Sequence, residues 1–319
     1  MRPLGGQRSD ASRKRGGPAM SSVPAGELET LRDWLRWAVS RFGEARLHFG
    51  HGSTEAYDEA AYLLLHALHL PLDRLEPFLD AKLTQAERAT LGHLFTRRID
   101  ERVPAAYLTH EAWLGDFRFY VDERVLIPRS FIAELMPGGL APYVGSAGDV
   151  RAALDMCTGS GCLAILLAHA YPEADVDAVD ISSAALAVAQ RNVSDYALAD
   201  RINLIRSDLF ANLPEKSYDL IISNPPYVTA TAMEALPGEY RHEPALALAG
   251  GEDGLDAVRN ILGQAPRFLN PGGTLVVELG HNRAAAEQAF PRLPLIWLAT
   301  ADSEDCVFLV KREDIVNGR

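Results

Sequence analysis

Three features are scarce or missing in this 319-residue sequence: cysteine, long apolar runs and clustered basic residues. The cysteines Cys157, Cys162 and Cys306 are odd in number and lack the spacing of two metal-binding pairs, so we expect no disulfide framework and no metal site. Free thiols fit a reducing, cytoplasmic location. No apolar stretch reaches the roughly 18 residues of a membrane-spanning helix, so we expect no membrane partner.

The charge balance is acidic, with 31 Lys and Arg against 43 Asp and Glu and a formal net charge of −12. A protein that binds duplex nucleic acid usually carries a Lys and Arg stripe that releases counterions from phosphates. The sequence shows no such stripe, so we expect no direct specific binding of nucleic acid. An acidic surface either attracts a basic protein or only keeps the chain soluble, and composition leaves both open.

Residues 1–19 are rich in Gly, Arg and Ser and have no apolar period, which predicts a disordered leader. They lack the apolar run of a secretory signal, although an Arg-rich, acid-poor start is also the composition of a transit peptide. We interpret them as an upstream extension, with Met20 as the natural start.

The sequence changes character near Pro104, which predicts two domains. Residues 20–104 carry apolar residues at spacings of three and four, as in a small helical bundle for substrate recognition or packing. We expect helices over residues 27–42, after an N-cap at Thr54, and from Thr84 to about residue 102.

Residues 105–129 are rich in aromatic and β-branched residues around Gly115 and predict a β-hairpin linker. Residues 130–319 alternate short apolar runs with helical stretches, the pattern of a parallel sheet covered by helices. The predicted strands are 152–156, 176–180, 202–206, 218–223, 274–279, 295–299 and 306–311.

A glycine-containing loop follows the first of these strands, over residues 155–161. Ligands in such sheets bind beyond the carboxyl ends of the strands, and a helix N-terminus offers unpaired N–H groups. Asp180 ends the next strand, where a carboxylate can accept both hydroxyls of a ribose. The loop with Asp180 also fits a dinucleotide fingerprint, but Asp155 before the loop favours a methyl donor that carries an amino acid.

The strand before residue 224 breaks into Asn224, Pro225, Pro226 and Tyr227. Two prolines remove two backbone donors and fix φ, which holds the carbonyls of Asn224 and Pro225 rigidly. An amide nitrogen that donates to the Asn224 side-chain oxygen and the Pro225 carbonyl is positioned towards a donor methyl, while Tyr227 stacks on the planar group. On its own this tetrapeptide is also compatible with a rigid turn.

From residue 107 to residue 309 the sequence resembles the N5-glutamine methyltransferases that modify proteins. The motifs that carry the resemblance are Leu126-Ile127-Pro128-Arg129, residues 155–161, Val179-Asp180, Ser207-Asp208-Leu209-Phe210, Asn224-Pro225-Pro226-Tyr227, Glu243-Pro244 and residues 250–255.

The resemblance implies a class I S-adenosylmethionine-dependent methyltransferase fold, which is α/β and Rossmann-like with a seven-stranded, mostly parallel sheet, preceded by a helical domain. It also implies S-adenosyl-L-methionine as cofactor and the side-chain amide nitrogen of a glutamine as methyl acceptor. The family's cofactor residues match Asp155, Thr158, Gly159, Ser160, Gly161, Asp180, Asp208, Leu209 and Asn224, and its substrate and catalytic residues match Asn224, Pro225, Pro226, Tyr227 and Arg129.

Two substrates are familiar in this family, class-one peptide-chain release factors and the third large-subunit ribosomal protein. Residues 122–126, 157–162 and 239–244 resemble the ribosomal-protein enzymes, and Cys157 stands where release-factor enzymes have the first glycine of their loop. We therefore favour the third large-subunit ribosomal protein, a basic partner. The alternatives are a release-factor enzyme, an adenine N6 methyltransferase of nucleic acid, a nicotinamide oxidoreductase and a catalytically idle ribosome-assembly factor.

Several other residues have two interpretations. Arg129 orients the loop or substrate, or forms only a surface ion pair. Glu239 and Glu243 guide a basic substrate loop or are solvated. We interpret His242 as a positioned loop histidine, Cys157 as a small loop residue, and Trp34 and Trp37 as core or domain contacts.

Overall fold

A computed structural model describes residues 23–138, 140–146, 148–301 and 303–318. The predicted leader, residues 1–19, lies outside the described residues. Within the described part, no helix combines the length and apolar character needed to cross a membrane.

The N-terminal region contains the predicted helices. They are α1 (Leu31–Ala45), α2 (Ala56–Ala67) and α3 (Gln85–Asp100), followed by the short α4 (Ala105–Thr109). Thr84 caps α3 through a capping box with Glu87, as expected of a Thr followed by Glu at the third position. The expected cap at Thr54 is wrong, because the N-cap residue of α2 is Glu55, which makes no side-chain cap hydrogen bond.

Aromatic packing holds these helices together. Trp34 is fully buried and stacks on Phe95 with ring centroids 6.0 Å apart, and Trp37 is 6 % exposed in the same cluster. Both tryptophans are core residues, as predicted. Burial of such large side chains is the main stabilising contribution available to a domain of this size.

The predicted hairpin is shorter than its sequence pattern suggested. It consists of β1 (Glu111–Leu114) and β2 (Phe117–Tyr120), which turn at Gly115 with φ of +58°. The hairpin docks on the second domain, since the backbone N–H of Tyr120 donates to Asn192 Oδ1 at 2.8 Å.

The second domain is a seven-stranded sheet with helices on its faces. In chain order its elements are α5 (Phe131–Leu135), β3 (Ala152–Met156), α6 (Cys162–Ala170), β4 (Asp175–Asp180), α7 (Ser183–Asp195), β5 (Ile202–Arg206), β6 (Tyr218–Ser223), α8 (Ala230–Ala235), α9 (Ala245–Leu248), α10 (Asp256–Gln264), β7 (Leu269–Glu278), α11 (Arg283–Ala289), β8 (Ile296–Leu298), β9 (Val307–Lys311) and α12 (Arg312–Asn317).

The strand order is β5-β4-β3-β6-β7-β9-β8, and only the pairs that involve β9 are antiparallel. Both faces are buried: Ala153 lies in the cluster with α6, whereas its neighbour Leu154 lies in the cluster with α10. This alternation follows from the period of two along a strand. The fold is the predicted α/β class with a mostly parallel sheet.

The chain order reverses between β3 and β6. Strands β3, β4 and β5 proceed outward in one direction, and the chain then returns to add β6 on the other side of β3. A ligand site in an open parallel sheet lies at such a switch point, beyond the carboxyl ends of the strands.

Candidate active site

Two loops leave the sheet side by side at the switch point. Met156, the last residue of β3, pairs with Ser223, the last residue of β6. The Ser223 hydroxyl also donates to the Met156 carbonyl at 2.8 Å. The glycine loop and the Asn224 tetrapeptide therefore begin next to each other, as expected from parallel strands.

The glycine loop has backbone conformations that require its glycines. Gly159 has φ of +54°, and Gly161 has φ of +81° at the start of α6. A Cβ on Gly161 would lie 3.1 Å from the Ala189 Cβ, so a side chain there would push α7 away from the loop. Thr158, Gly159 and Ser160 line a cavity of about 320 Å³, whereas Gly161 sets the junction between loop and helix.

Cys157 stands at the first loop position with φ of +65°, a conformation uncommon for a residue other than glycine. Burial is the main cause that raises the pKa of its thiol, and the negative charge of Asp180 raises it further. A thiol held in the neutral form is a poor nucleophile, which supports the interpretation of Cys157 as a small loop residue.

Asp155 lies beneath the loop and is fully buried. Its Oδ2 accepts a hydrogen bond of 2.5 Å from the Thr158 hydroxyl, while its Oδ1 has no hydrogen-bond partner. Burial raises the pKa of this carboxyl to about 7. Asp155 is not among the residues that line the cavity; its contact with the cavity wall is the bond to Thr158, which does line it.

Asp180 braces the loop as well as lining the cavity. Its Oδ2 accepts from the Gly159 N–H at 2.9 Å, and its Oδ1 accepts from the Ser182 N–H at 2.8 Å. Burial raises its pKa despite these bonds. Each carboxylate oxygen has a second lone pair, so Asp180 retains acceptor capacity towards the cavity. Asp208 and Leu209, after β5, line the same cavity.

Asn224 and Pro226, which follow β6, line this cavity. Pro225 is buried and is not among the lining residues. The Asn224 Nδ2 donates to the Arg129 carbonyl at 3.3 Å. This bond orients the side-chain amide, because its nitrogen is used by the protein and its Oδ1 is left to accept from a ligand.

Arg129 is held in a buried ion pair rather than a surface one. Its two terminal nitrogens donate to Glu243 at 2.6 and 2.7 Å, and the Glu243 side chain is inaccessible to solvent. Burial acts to raise the pKa of Glu243, but the His51 ring, whose Nε2 lies 3.5 Å from the carboxylate, and the hydrogen bonds from Arg129 lower it to about 2. The geometry fits the orienting interpretation of Arg129, and the surface-pair alternative is wrong.

Neither Glu239 nor Glu243 is solvated or available to guide a substrate. Glu239 is 1 % exposed and accepts from the His48 N–H at 3.0 Å and from Arg98 at 3.4 Å. Both expectations for these residues are wrong for one reason: their cationic partners lie more than 100 positions away in the sequence, on the helical domain and the linker. His242, whose Nε2 lies 2.8 Å from the Glu101 carbonyl, is a positioned loop histidine as predicted.

Tyr227 faces a second cavity of about 1040 Å³, which shares Arg129 and Ser130 with the first. Its carbonyl accepts from the Asn282 Nδ2 at 2.8 Å, and its ring packs so closely on Gly280 that a Cβ there would approach it to 2.7 Å. The loop after β7 thus fixes the position of Tyr227.

Sequence reasoning missed Glu278, the last residue of β7, which also lines the second cavity. Its Oε2 accepts from the Ser130 hydroxyl at 2.5 Å, and burial raises its pKa to about 7. Glu278 could have been predicted from the sequence, because a carboxylate at the end of an apolar strand lies at the ligand-binding edge of the sheet. His51, which reaches Glu243 from the helical domain, carried no comparable local signal.

Residues 144–237, which include both loops, match the family model described as methyltransferase small domain. The class of the protein is therefore a methyltransferase. Several relatives named ribosomal protein uL3 glutamine methyltransferase are similar along most of the chain. That of Neisseria meningitidis serogroup A is 59 % identical over 297 residues, which cover 93 % of this chain and 98 % of the relative.

The relative of Bordetella pertussis is 58 % identical over 289 residues, or 91 % of this chain and 97 % of the relative. That of Bradyrhizobium diazoefficiens is 50 % identical over 310 residues, or 95 % and 97 %. The chain belongs to the family of ribosomal protein uL3 glutamine methyltransferases.

Proposed function

We propose that this chain transfers a methyl group from S-adenosyl-L-methionine to the side-chain amide nitrogen of a glutamine in ribosomal protein uL3, the third large-subunit ribosomal protein. The observation that carries the proposal is the pairing of Met156 with Ser223, which brings the glycine loop to the same cavity as Asn224 and Pro226. A donor site and an acceptor clamp are thus adjacent.

The donor side has buried carboxyl groups without cationic partners. Asp155 Oδ1 is unpartnered, and burial is the largest influence on the pKa of both Asp155 and Asp180. S-adenosyl-L-methionine supplies a methyl group on a sulfonium cation and also carries an ammonium group. A ligand with two positive charges offsets the cost of burying these acids, which a neutral or anionic cofactor does not.

The remaining donor contacts follow from the positions around the cavity. We assign the amino-acid part of the donor to Asp155, Thr158, Gly159 and Ser160, with Gly161 shaping the loop. Asp180 accepts the ribose hydroxyls, and Asp208 with Leu209 contacts the adenine. These residues lie at the carboxyl ends of β3 and β4 or in the loops after β3 and β5, the edge at which a nucleoside binds in this fold.

On the acceptor side, the target amide donates its two N–H groups to the Asn224 Oδ1 and the Pro225 carbonyl. Pro226 keeps the turn rigid, and Tyr227 stacks on the amide plane and excludes water. The bound donor would supply the methyl group by breakage of its S–CH₃ bond, which leaves a neutral thioether. The amide nitrogen, which gains the methyl group, loses one of its two protons through its hydrogen bonds to the clamp, and the proton passes on to solvent outside the site. Arg129 acts through Asn224 and Glu243 and positions the clamp.

The substrate assignment rests on the names of the relatives and on charge. A net charge of −12 favours encounter with a basic, RNA-binding protein. We assign substrate recognition to the helical domain, residues 20–104, and place the reaction in the cytoplasm, before ribosomal RNA covers the target.

The test offers methyl-labelled donor to the enzyme with isolated uL3, a class-one release factor or DNA in separate reactions. We expect label on a glutamine of uL3, and none with the inactive variant Asn224→Ala. Label confined to DNA or to the release factor would overturn the substrate assignment. Efficient labelling of finished large ribosomal subunits would contradict the timing.

A further inference from the structure

Three different metal-ligating side chains converge at the edge of the sheet beyond the clamp. His281 follows β7, and Asp305 and Cys306 precede β9. The His281 Nδ1 lies 3.7 Å from the Cys306 Sγ and 3.9 Å from an Asp305 oxygen, and the Cys306 Sγ lies 3.7 Å from that same oxygen. The three atoms form a nearly equilateral triangle.

This triangle has the dimensions of one face of a zinc coordination tetrahedron. Ligand atoms bound to one Zn²⁺ at about 2.0–2.3 Å are separated by about 3.3–3.6 Å at tetrahedral angles. Side-chain rotation therefore has to shorten the observed separations by at most about 0.6 Å. A sulfur, an imidazole nitrogen and a carboxylate oxygen are together a donor set suited to Zn²⁺ and poorly suited to Mg²⁺ or Ca²⁺.

The backbone holds two of the ligands in place. Glu278 pairs with Val307 across β7 and β9, and the Leu279 N–H donates to the Cys306 carbonyl at 2.9 Å. The Cys306 side chain is buried, whereas those of His281 and Asp305 are 85 % and 47 % exposed. An ion would thus have one ligand from the protein interior, two from the surface and a fourth position open to solvent.

We propose that His281, Asp305 and Cys306 form a Zn²⁺ site. The site is next to the loop that fixes the clamp, because Gly280 packs on the Tyr227 ring and Asn282 bonds the Tyr227 carbonyl. An ion there restrains the loop that holds Tyr227. Zn²⁺ binds a cysteine as the thiolate, so binding releases the thiol proton.

The test titrates the full chain with Co²⁺, which has absorption bands that report thiolate coordination, and then displaces it with Zn²⁺. We expect a thiolate-to-cobalt charge-transfer band in the wild-type protein. His281→Ala and Cys306→Ser should each weaken Co²⁺ binding at least about tenfold, while His93→Ala, at an exposed histidine of α3, should leave it unchanged.

If Cys306→Ser impairs folding, His281→Ala still tests the proposal, because the exposed His281 side chain can be replaced without loss of folding. A titration without the charge-transfer band overturns the proposal. A band that persists in the folded His281→Ala variant with unchanged Co²⁺ affinity overturns it as well, because the thiolate then belongs to another site. Neither readout depends on methyl transfer.

Discussion

Two loops leave neighbouring strands at the same edge of the sheet, and their buried carboxyl groups are balanced in different ways. Beside the glycine loop, burial raises the pKa values of Asp155 and Asp180. Beside the clamp, Glu243 accepts two hydrogen bonds from Arg129 and lies 3.5 Å from His51 Nε2, and its pKa is lowered to about 2. Asp155 and Asp180 are left for a ligand to neutralise, whereas Glu243 is neutralised by Arg129 within the protein. Glu278, in the cavity that Tyr227 faces, resembles the donor-side acids, since burial raises its pKa to about 7.

This difference suggests a division of tasks. A rigid, internally paired acceptor side holds Asn224 in one orientation through the Arg129 carbonyl. An underpaired donor side gains stability when a cationic cofactor arrives. Variants in the two regions should therefore change different quantities, and the following predictions use stability, pH dependence and turnover to separate them.

The largest effect is expected from Arg129→Ala, which leaves Glu243 buried without its bidentate partner. Removal of one member of a buried pair costs about 3–5 kcal/mol. Urea unfolding monitored by circular dichroism measures the loss. The control is Arg151→Ala, whose pair with Glu173 is more than 60 % exposed on both sides and should be worth less than about 1 kcal/mol. Similar losses in both variants would contradict the buried acceptor-side network.

Asp155→Asn should change how stability depends on pH. Asp155 has a pKa of about 7 in the folded chain against 3.8 for an unperturbed Asp, so the folded state binds more protons between these values. The free energy of unfolding of the wild type therefore falls as pH rises from about 4 to 7, by up to about 4 kcal/mol from this group. An Asn side chain does not titrate, so the free energy of unfolding of Asp155→Asn does not fall in this way between pH 4 and 7.

The measurement is chemical denaturation of the donor-free wild type and variant across that pH range. The stability of Asp155→Asn relative to the wild type should increase with pH. A difference that stays constant with pH would show that Asp155 is ionised normally and would remove the contrast with Glu243.

Glu243→Gln should produce a pH effect of the opposite sign. Because the folded pKa of Glu243 is about 2 and its unperturbed value 4.5, the unfolded state binds more protons between them. Its contribution of about 3 kcal/mol is present above 4.5 and is lost as pH falls towards 2. Acid unfolding curves should be flatter for Glu243→Gln than for Glu173→Gln, an exposed control. Equal acid unfolding curves for the two variants would refute the pairing of Glu243 with Arg129.

Much of the fold could be predicted because its signals are local. Strands β3, β5 and β6 have the predicted limits, since each is a short run bounded by turn residues. Strand β7 starts at Leu269 rather than Thr274, because Leu269 pairs with Tyr218 ahead of a register shift. Gly272 and Gly273 lie within that irregular stretch, which sequence propensity assigns to a turn.

The convergence of candidate site residues was predicted where it depends on residues that end or follow strands, as with Asp180 and Asn224, which line one cavity. It was missed where it depends on contacts between domains. Glu239 and Glu243 are ordinary surface residues by sequence, and only the folded chain brings Arg98 and His51 against them. Pairing of this kind is set by tertiary structure and has no local pattern.

The division of tasks is tested most directly by measuring donor affinity and turnover on uL3 in Asn224→Ala and Asp180→Asn side by side, with calorimetry for the donor and labelled methyl transfer for turnover. Asn224→Ala should lower turnover at least about a hundredfold with donor affinity nearly unchanged. Asp180→Asn should weaken donor affinity about tenfold or more and affect turnover at saturating donor far less. Equal losses of affinity and turnover in both variants would contradict separate donor and acceptor sides.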